Sequence, residues 1–232
     1  MLFKRLRGLA AHIPSTCKVC GSWPSQAVCE ACVARFAQPV HRCKTCAQSV
    51  PTGVIQCGEC LLSPPALDAC FAAVAYAYPW ARLIIDFKFA QQPGHCASLS
   101  LLLRSAPWVE PAIDNAHFLI PMPLSVHRLK ERGYNQASLL ARQLSASKTR
   151  DNILLRLKDV AHQSQLSRAE RLKNVKDAFA VDPLLAAQLK DRRVVLVDDV
   201  MTTGASLHSA ALALRAAGAS HVTALVVART EL

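Results

Sequence analysis

Beyond Pro65 the apolar residues arrive in short runs that switch between two periods. Residues 71–78 read as a strand, and 80–90 (WARLIIDFKFA) have the three-and-four spacing of an amphipathic helix. Residues 99–104 look like part of another helix. From His117 the alternation becomes regular. Residues 117–120 form an apolar strand that stops at Pro121-Met122-Pro123. Residues 135–144 carry Leu139, Leu140 and Leu144 on one side of a helix, and 153–155 read as a strand. Residues 158–178 are polar and basic, either a loop or a short helix. Residues 194–197 are wholly apolar, 206–217 form a helix closed by Gly218, and 222–227 are the last strand. Apolar strands alternating with helices predict an α/β fold: a mostly parallel sheet with helices on both faces.

Before residue 62 this pattern breaks down. Eight of the ten cysteines lie there, as four C-x-x-C pairs: Cys17/Cys20, Cys29/Cys32, Cys43/Cys46 and Cys57/Cys60. A two-residue spacer lets both thiolates face one tetrahedral Zn²⁺, and two pairs complete a structural four-cysteine site. Four pairs therefore make two sites. Sharing in sequence gives tandem ribbons, sharing first with third gives a cross-brace, and one site can be empty. So short a segment buries little core, so the metal would supply its folding energy. A disulfide framework or redox-active pairs fit four regularly spaced pairs less well. Cys70 and Cys96 stand alone in apolar surroundings and read as buried thiols. The expected organisation is a double zinc-ribbon domain over 1–62 and an α/β domain over 66–232.

Composition adds three constraints. Hydrophobic residues make up 52% and charged residues 19%, which supports a packed core rather than disorder. No run of about 18 uncharged apolar residues exists, so no transmembrane helix is expected. The basic start Met1-Leu2-Phe3-Lys4-Arg5 lacks the apolar core of a secretory signal, and a cytoplasmic location follows as an expectation. The net charge of +11 favours a polyanionic partner. The excess is local: residues 125–176 hold 12 basic and four acidic side chains.

The chemistry concentrates in residues 194–206, VVLVDDVMTTGAS. Two carboxylates, Asp198 and Asp199, follow a buried strand. Thr202, Thr203, Gly204, Ala205 and Ser206 then open a helix. In an open α/β sheet ligands bind beyond the carboxyl ends of strands. Backbone N–H groups, hydroxyls and a helix N-terminus suit a phosphate, and two adjacent carboxylates suit the vicinal hydroxyls of a ribose. Neither a G-x-x-x-x-G-K-[ST] loop nor a G-x-G-x-x-G fingerprint is present. The bland alternative is a strand-turn-helix with a capping threonine and solvated aspartates.

This stretch closely resembles the phosphoribosyl pyrophosphate motif of type I phosphoribosyltransferases. The resemblance implies that Asp198 and Asp199, at the catalytic centre, hold the ribose 2- and 3-hydroxyls. It implies that residues 202–206 wrap the 5-phosphate, and that Mg²⁺ binds mainly through the ligand's own oxygens. Further matches are Pro121-Met122-Pro123, Arg128, Arg132-Gly133-Tyr134-Asn135-Gln136, Gln163, Leu166, Arg171, Asn174 and Phe179, with Leu83, Ile84 and Lys88 upstream. Behind four C-x-x-C pairs, this series resembles the ComF family over about residues 15–230 of the chain. That family combines a zinc ribbon with a phosphoribosyltransferase-like domain and is associated with natural competence, where incoming single-stranded DNA is handled in the cytoplasm. Ala47 departs from the usual pattern, which has a glycine after the second cysteine of the knuckle.

Pro121 and Met122 fall beside the expected pyrophosphate position, and Arg128 and Arg132 are placed for bidentate phosphate contacts. Asn135 and Gln136 are either ligand contacts or helix caps. Arg171 either closes over the ligand or is a solvated charge. Lys88 is a surface residue by default and a ligand contact by resemblance. Three functions compete. The first is a competence protein of DNA uptake that binds single-stranded DNA and phosphoribosyl pyrophosphate, with other DNA-uptake or recombination proteins as partners. The second is an active phosphoribosyltransferase of nucleotide metabolism or salvage. The third is a ribbon protein whose second domain has lost its chemistry. Residues 66–116 show no readable base pocket, and aromatic residues are only 6%, so stacking on bases is not strongly indicated.

Overall fold

The computed structural model describes residues 15–157 and 178–231. Arg171, with Gln163, Leu166 and Asn174, lies outside the described residues. The contacts separate two compact units, Met1–Gln38 and Pro39–Leu232. The compositional change near residue 62 does not coincide with that division, because the second cysteine quartet folds with the sheet.

The two quartets are structural repeats. In the first unit Ser15 bridges Ser25, the Gly21 N–H donates to Cys17 O at 2.9 Å, and helix α1 (Glu30–Phe36) starts after Cys29. In the second unit Arg42 bridges Ser49, the Ala47 N–H donates to Cys43 O at 2.8 Å, and helix α2 (Gly58–Leu62) starts after Cys57. Both knuckles need a positive φ after the second cysteine. Gly21 supplies it at +76°, Ala47 at +56°. A side chain in that region costs about 1 kcal/mol. Ala47 offsets part of this by burying its methyl completely in the core of the α/β layer.

The rest of the second unit is built on a four-stranded parallel sheet. Strand β1 (Ala69–Ala75) is followed by helices α3 (Trp80–Phe89), α4 (His95–Ser105) and α5 (Val109–Asn115). Strand β2 (Phe118–Pro121) leads to α6 (Val126–Arg132) and α7 (Gln136–Ser145). Strands β3 (Leu154–Arg156) and β4 (Phe179–Val181) pair antiparallel in a separate two-stranded sheet. Strand β5 (Arg193–Met201), helix α8 (Ala205–Ala216) and strand β6 (His221–Arg229) complete the chain. The order is β1-β6-β5-β2 with every neighbouring pair parallel. In β6 every residue after His221 is buried, and successive side chains point to opposite faces, so both faces of the sheet are covered.

Two elements differ from their sequence expectation. Pro121 ends β2 from inside it, opposite Val197. It is tolerated there because the ladder needs no N–H at that position, and the next donor, Met122 N, reaches Val197 O at 2.9 Å. Strand β5 does not stop at Val197. Its ladder with β6 runs on through Asp198 and Val200 to Met201, so the acidic pair belongs to the strand itself.

Candidate functional site

The cysteines gather in sequence order. Cys17, Cys20, Cys29 and Cys32 form one cluster and Cys43, Cys46, Cys57 and Cys60 another, with the sulfurs of each within 4.8 Å of one another. The tandem arrangement is thus present and the cross-brace is not. Cys17 and Cys32 Sγ are 3.9 Å apart, Cys20 and Cys29 Sγ 3.7 Å, and Cys46 and Cys57 Sγ 3.7 Å. A tetrahedral Zn²⁺ with arms of about 2.3 Å separates its sulfurs by about 3.8 Å, whereas a disulfide needs about 2 Å. The donor set therefore fits a zinc ion in each cluster. Each also provides N–H···S support: Cys29 N donates to Cys17 Sγ at 3.4 Å and Cys57 N to Cys43 Sγ at 3.3 Å. Burial raises the Cys43 thiol, but the N–H groups of Cys57, Cys46 and Thr45 outweigh it and hold it at about 7, whereas burial keeps the Cys46 and Cys60 thiols above their ordinary value. Cys70 is fully buried, pushed up to about 12 chiefly by desolvation, and packs its sulfur 3.5 Å from Met201 Sδ.

At the carboxyl ends of β2 and β5 a cleft of about 360 Å³ opens. Asp198, Asp199, Thr202 and Ser206 line one side. Met122, Arg128, Arg132, Asn135 and Gln136 line another, and Lys88 and Phe89 come from α3. Pro121, Thr203, Gly204 and Ala205 stand behind this lining, not in it. Four cations, Lys88, Arg128, Arg132 and Arg156, face two carboxylates, so the cleft suits a multiply charged anion.

Lys88 is not a free surface residue. Its Nζ lies 2.7 Å from Asp199 Oδ1, and both side chains are largely buried. Desolvation, reinforced by the charge of Asp199, pushes Asp198 up to about 7 against the opposing pull of Lys88. The Asp199 N–H donates to Asp198 Oδ1 at 2.9 Å, which orients the first carboxylate.

Gly204 precedes α8 with φ of +80° and the Met201 methyl close beneath it. Only glycine takes that conformation readily. The Ala205 N–H donates to Thr203 Oγ1 at 3.4 Å, so Thr203 serves the turn. Asn135 is a cap in the first instance. Its Oδ1 accepts from Ala137 N at 3.0 Å and Ser138 N at 3.4 Å, and its Nδ2 donates to Met122 O at 3.0 Å. One side chain thereby starts α7 and anchors the loop after β2. Arg132 stacks 4.9 Å over the Phe89 ring and donates from Nη1 to Gln136 Oε1 at 3.1 Å. Arg132 Nε and Gln136 Nε2 are buried donors with no hydrogen-bond partner among the described residues, and an oxyanion in the cleft is the kind of group that satisfies them.

Several cleft residues carry no readable sequence signal. Tyr76 and Phe89 line it from β1's exit and the end of α3, and Arg156 from β3. Arg229, behind the cleft, holds the loop carbonyls of Met201 and Thr202. A charge closing an apolar strand singled out Asp198. The same cue, applied to the end of β6, finds Arg229.

Residues 129–231 match the family described as the phosphoribosyl transferase domain. "Competence protein F" of Haemophilus influenzae is 34% identical over 195 residues, which cover 81% of this chain and 84% of that protein. "DNA utilization protein YhgH" of Escherichia coli O6:H1 is 28% identical over 230 residues, covering 94% and 98%. "Competence protein ComFC" of Bacillus subtilis is 36% identical over 118 residues, covering 50% and 46%. With the parallel sheet, the acidic pair at the end of β5 and the tandem cysteine quartets in place, these likenesses establish that the chain belongs to the ComF family.

Proposed function

We propose that this protein binds phosphoribosyl pyrophosphate in the β5–α8 cleft and single-stranded DNA along its basic middle segment, and serves the cytoplasmic handling of incoming DNA. The observation that carries the reading is the acidic pair Asp198–Asp199 at the end of β5, its second carboxylate paired with Lys88, directly before the loop that opens α8. Two carboxylates accept two ribose hydroxyls. Residues 202–206 and the α8 N-terminus receive the 5-phosphate. Arg128 and Arg132 meet the pyrophosphate, which brings its Mg²⁺ with it. Zn²⁺ in the two cysteine quartets holds the ribbons folded. The names of the relatives, competence and DNA utilization, support the DNA side of the reading.

Titration calorimetry with Mg²⁺ tests the ligand. Binding is expected, with loss on combining Asp198→Asn with Asp199→Asn; no binding, or binding indifferent to those changes, overturns it. The DNA side is tested by fluorescence anisotropy of a labelled single strand at rising salt. Affinity is expected to fall with a log–log slope of about 0.7 per phosphate contacted, and absence of binding at low salt overturns it.

Transfer chemistry is the second reading, and it is supported by the aromatic side chains of Tyr76 and Phe89 in the cleft lining. A base nitrogen would bond to ribose C1 while pyrophosphate leaves with the bonding electrons. Release of pyrophosphate on incubation with a panel of bases decides for it, and no release decides against it.

A further inference from the structure

Arg229 is almost wholly buried, 1% exposed, yet no carboxylate pairs with it among the described residues. A buried guanidinium needs hydrogen-bond acceptors, and those that Nε and Nη1 find here are backbone carbonyls and one hydroxyl. Nε donates to Cys46 O at 3.0 Å. Nη1 donates to Met201 O at 3.2 Å, to Thr202 O, and to Thr230 O at 2.6 Å and Thr230 Oγ1 at 3.1 Å. The arginine's own backbone carbonyl accepts from Tyr76 N at 2.7 Å, and Tyr76 lines the cleft.

One side chain thus joins two functional elements. Cys46 is a thiol of the second quartet, and Thr202 begins the loop that opens α8. The junction is closed on both sides. Ala47 buries its methyl in the same core as Met201, Cys70 N donates to Lys44 O at 2.8 Å, and Thr230 N donates to Met201 O at 3.1 Å. On the ribbon side, Arg42 and Gln48 each donate to Glu231 at 2.9 Å. A metal at Cys43, Cys46, Cys57 and Cys60 fixes the Cys46 carbonyl. If that carbonyl moves, Arg229 loses an acceptor in a place water does not reach, and the most economical repair is rotation of the guanidinium away from Thr202.

We propose that Arg229 is a positioning residue that couples the second cysteine quartet to the phosphate loop, so that metal bound to the quartet sets the order of residues 202–206 and their affinity for a phosphorylated ligand. The affinity part rests on the function proposed above; the ordering part does not.

Two readouts separate them. The first is amide hydrogen exchange across 202–206 in the full-length protein without ligand. Arg229→Met keeps the length and apolar stem of the side chain but has no donors. It is expected to retain its zinc and the slow exchange of β2 and α7 while 202–206 exchange faster. Wild-type protein stripped of zinc by a chelator is expected to lose protection at 202–206 too, beyond the loosening of the ribbons and by more than any general rise across β2 and α7. The second readout is phosphoribosyl pyrophosphate affinity with Mg²⁺, expected to weaken about tenfold in Arg229→Met, the cost of one lost buried hydrogen bond. Arg229→Lys keeps the charge but lacks the fork, and should behave like the methionine variant. Combining Cys57→Ser and Cys60→Ser with Arg229→Met should cost no more than the serine pair alone. Should the serine variant not fold, the chelated wild type against chelated Arg229→Met gives the same comparison. Unchanged exchange at 202–206 in either Arg229→Met or the zinc-free wild type overturns the proposal, as do losses that multiply. Faster exchange at 202–206 without any ligand binding by the wild type would uphold the coupling and sink the proposed ligand.

Discussion

Asp198 stands under opposing demands. Burial and the neighbouring carboxylate raise it to about 7, while a ribose hydroxyl is best accepted by its ionised form. A carboxyl whose folded pKa exceeds its unfolded one holds its proton more firmly in the folded chain. It therefore costs nothing well below the unfolded value and destabilises the fold progressively as pH rises through the folded value. The melting temperature of the wild type should consequently fall more steeply between about pH 4 and 7 than that of Asp198→Asn. At about pH 8 the asparagine variant should melt higher than the wild type and bind phosphoribosyl pyrophosphate more weakly. Calorimetric scans of both proteins across pH check the first statement, and titrations the second. A variant that lost both stability and affinity at every pH would show that Asp198 is structural. Lys88 makes the same point about charge: the ion pair with Asp199 satisfies a buried carboxylate.

At the scale of elements, the cleft is assembled by chain ends and caps. Asn135 spans two of them, with Oδ1 serving α7 and Nδ2 serving the Met122 carbonyl. The two duties can be separated. Asn135→Ala should lower stability by about 1–2 kcal/mol through the lost cap. Asn135→Asp keeps the acceptor and loses the donor, so it should hold most of the stability while loosening the loop after β2 and weakening the ligand. Denaturant unfolding beside ligand titration distinguishes these outcomes; equal stability losses in both variants would assign the whole effect to the loop. Several strands and helices from 117 onward are readable because Pro121, Asn135, Asn152 and Gly218 bound their apolar runs, and residues 194–197 and 222–227 because they are wholly or almost wholly apolar. The length of β5 is not, since its last residues are set by pairing with β6 rather than by their own hydrophobicity.

At the scale of the whole molecule, charge and metal are linked. A zinc–tetrathiolate centre carries about −2, so zinc in both quartets would lower the formal +11 to about +7. The remaining excess lies in residues 125–176, which contribute Arg128, Arg132 and Arg156 to the cleft. Elemental analysis should find two zinc ions per chain. Withdrawal of the second should lower the melting temperature of the sheet itself, because Ala47 and Cys46 pack with its core. If the sheet's melting is indifferent to that metal, the second ribbon is an independent appendage.

Spacing in the chain alone determined the four cysteine pairs, the alternation of strand and helix, the acidic pair and the hydroxyl loop, because each is a local pattern whose chemistry needs neighbours in sequence. The pairing order of the cysteines, the Lys88–Asp199 contact and the reach of Arg229 to Cys46 and Thr202 were decided only by the tertiary structure. Those contacts join residues separated by tens to hundreds of positions, and no local propensity records which buried donor will meet which carbonyl. That Ala47 is accepted at a positive φ is likewise tertiary: the core that buries its methyl is supplied by strands and helices far along the chain.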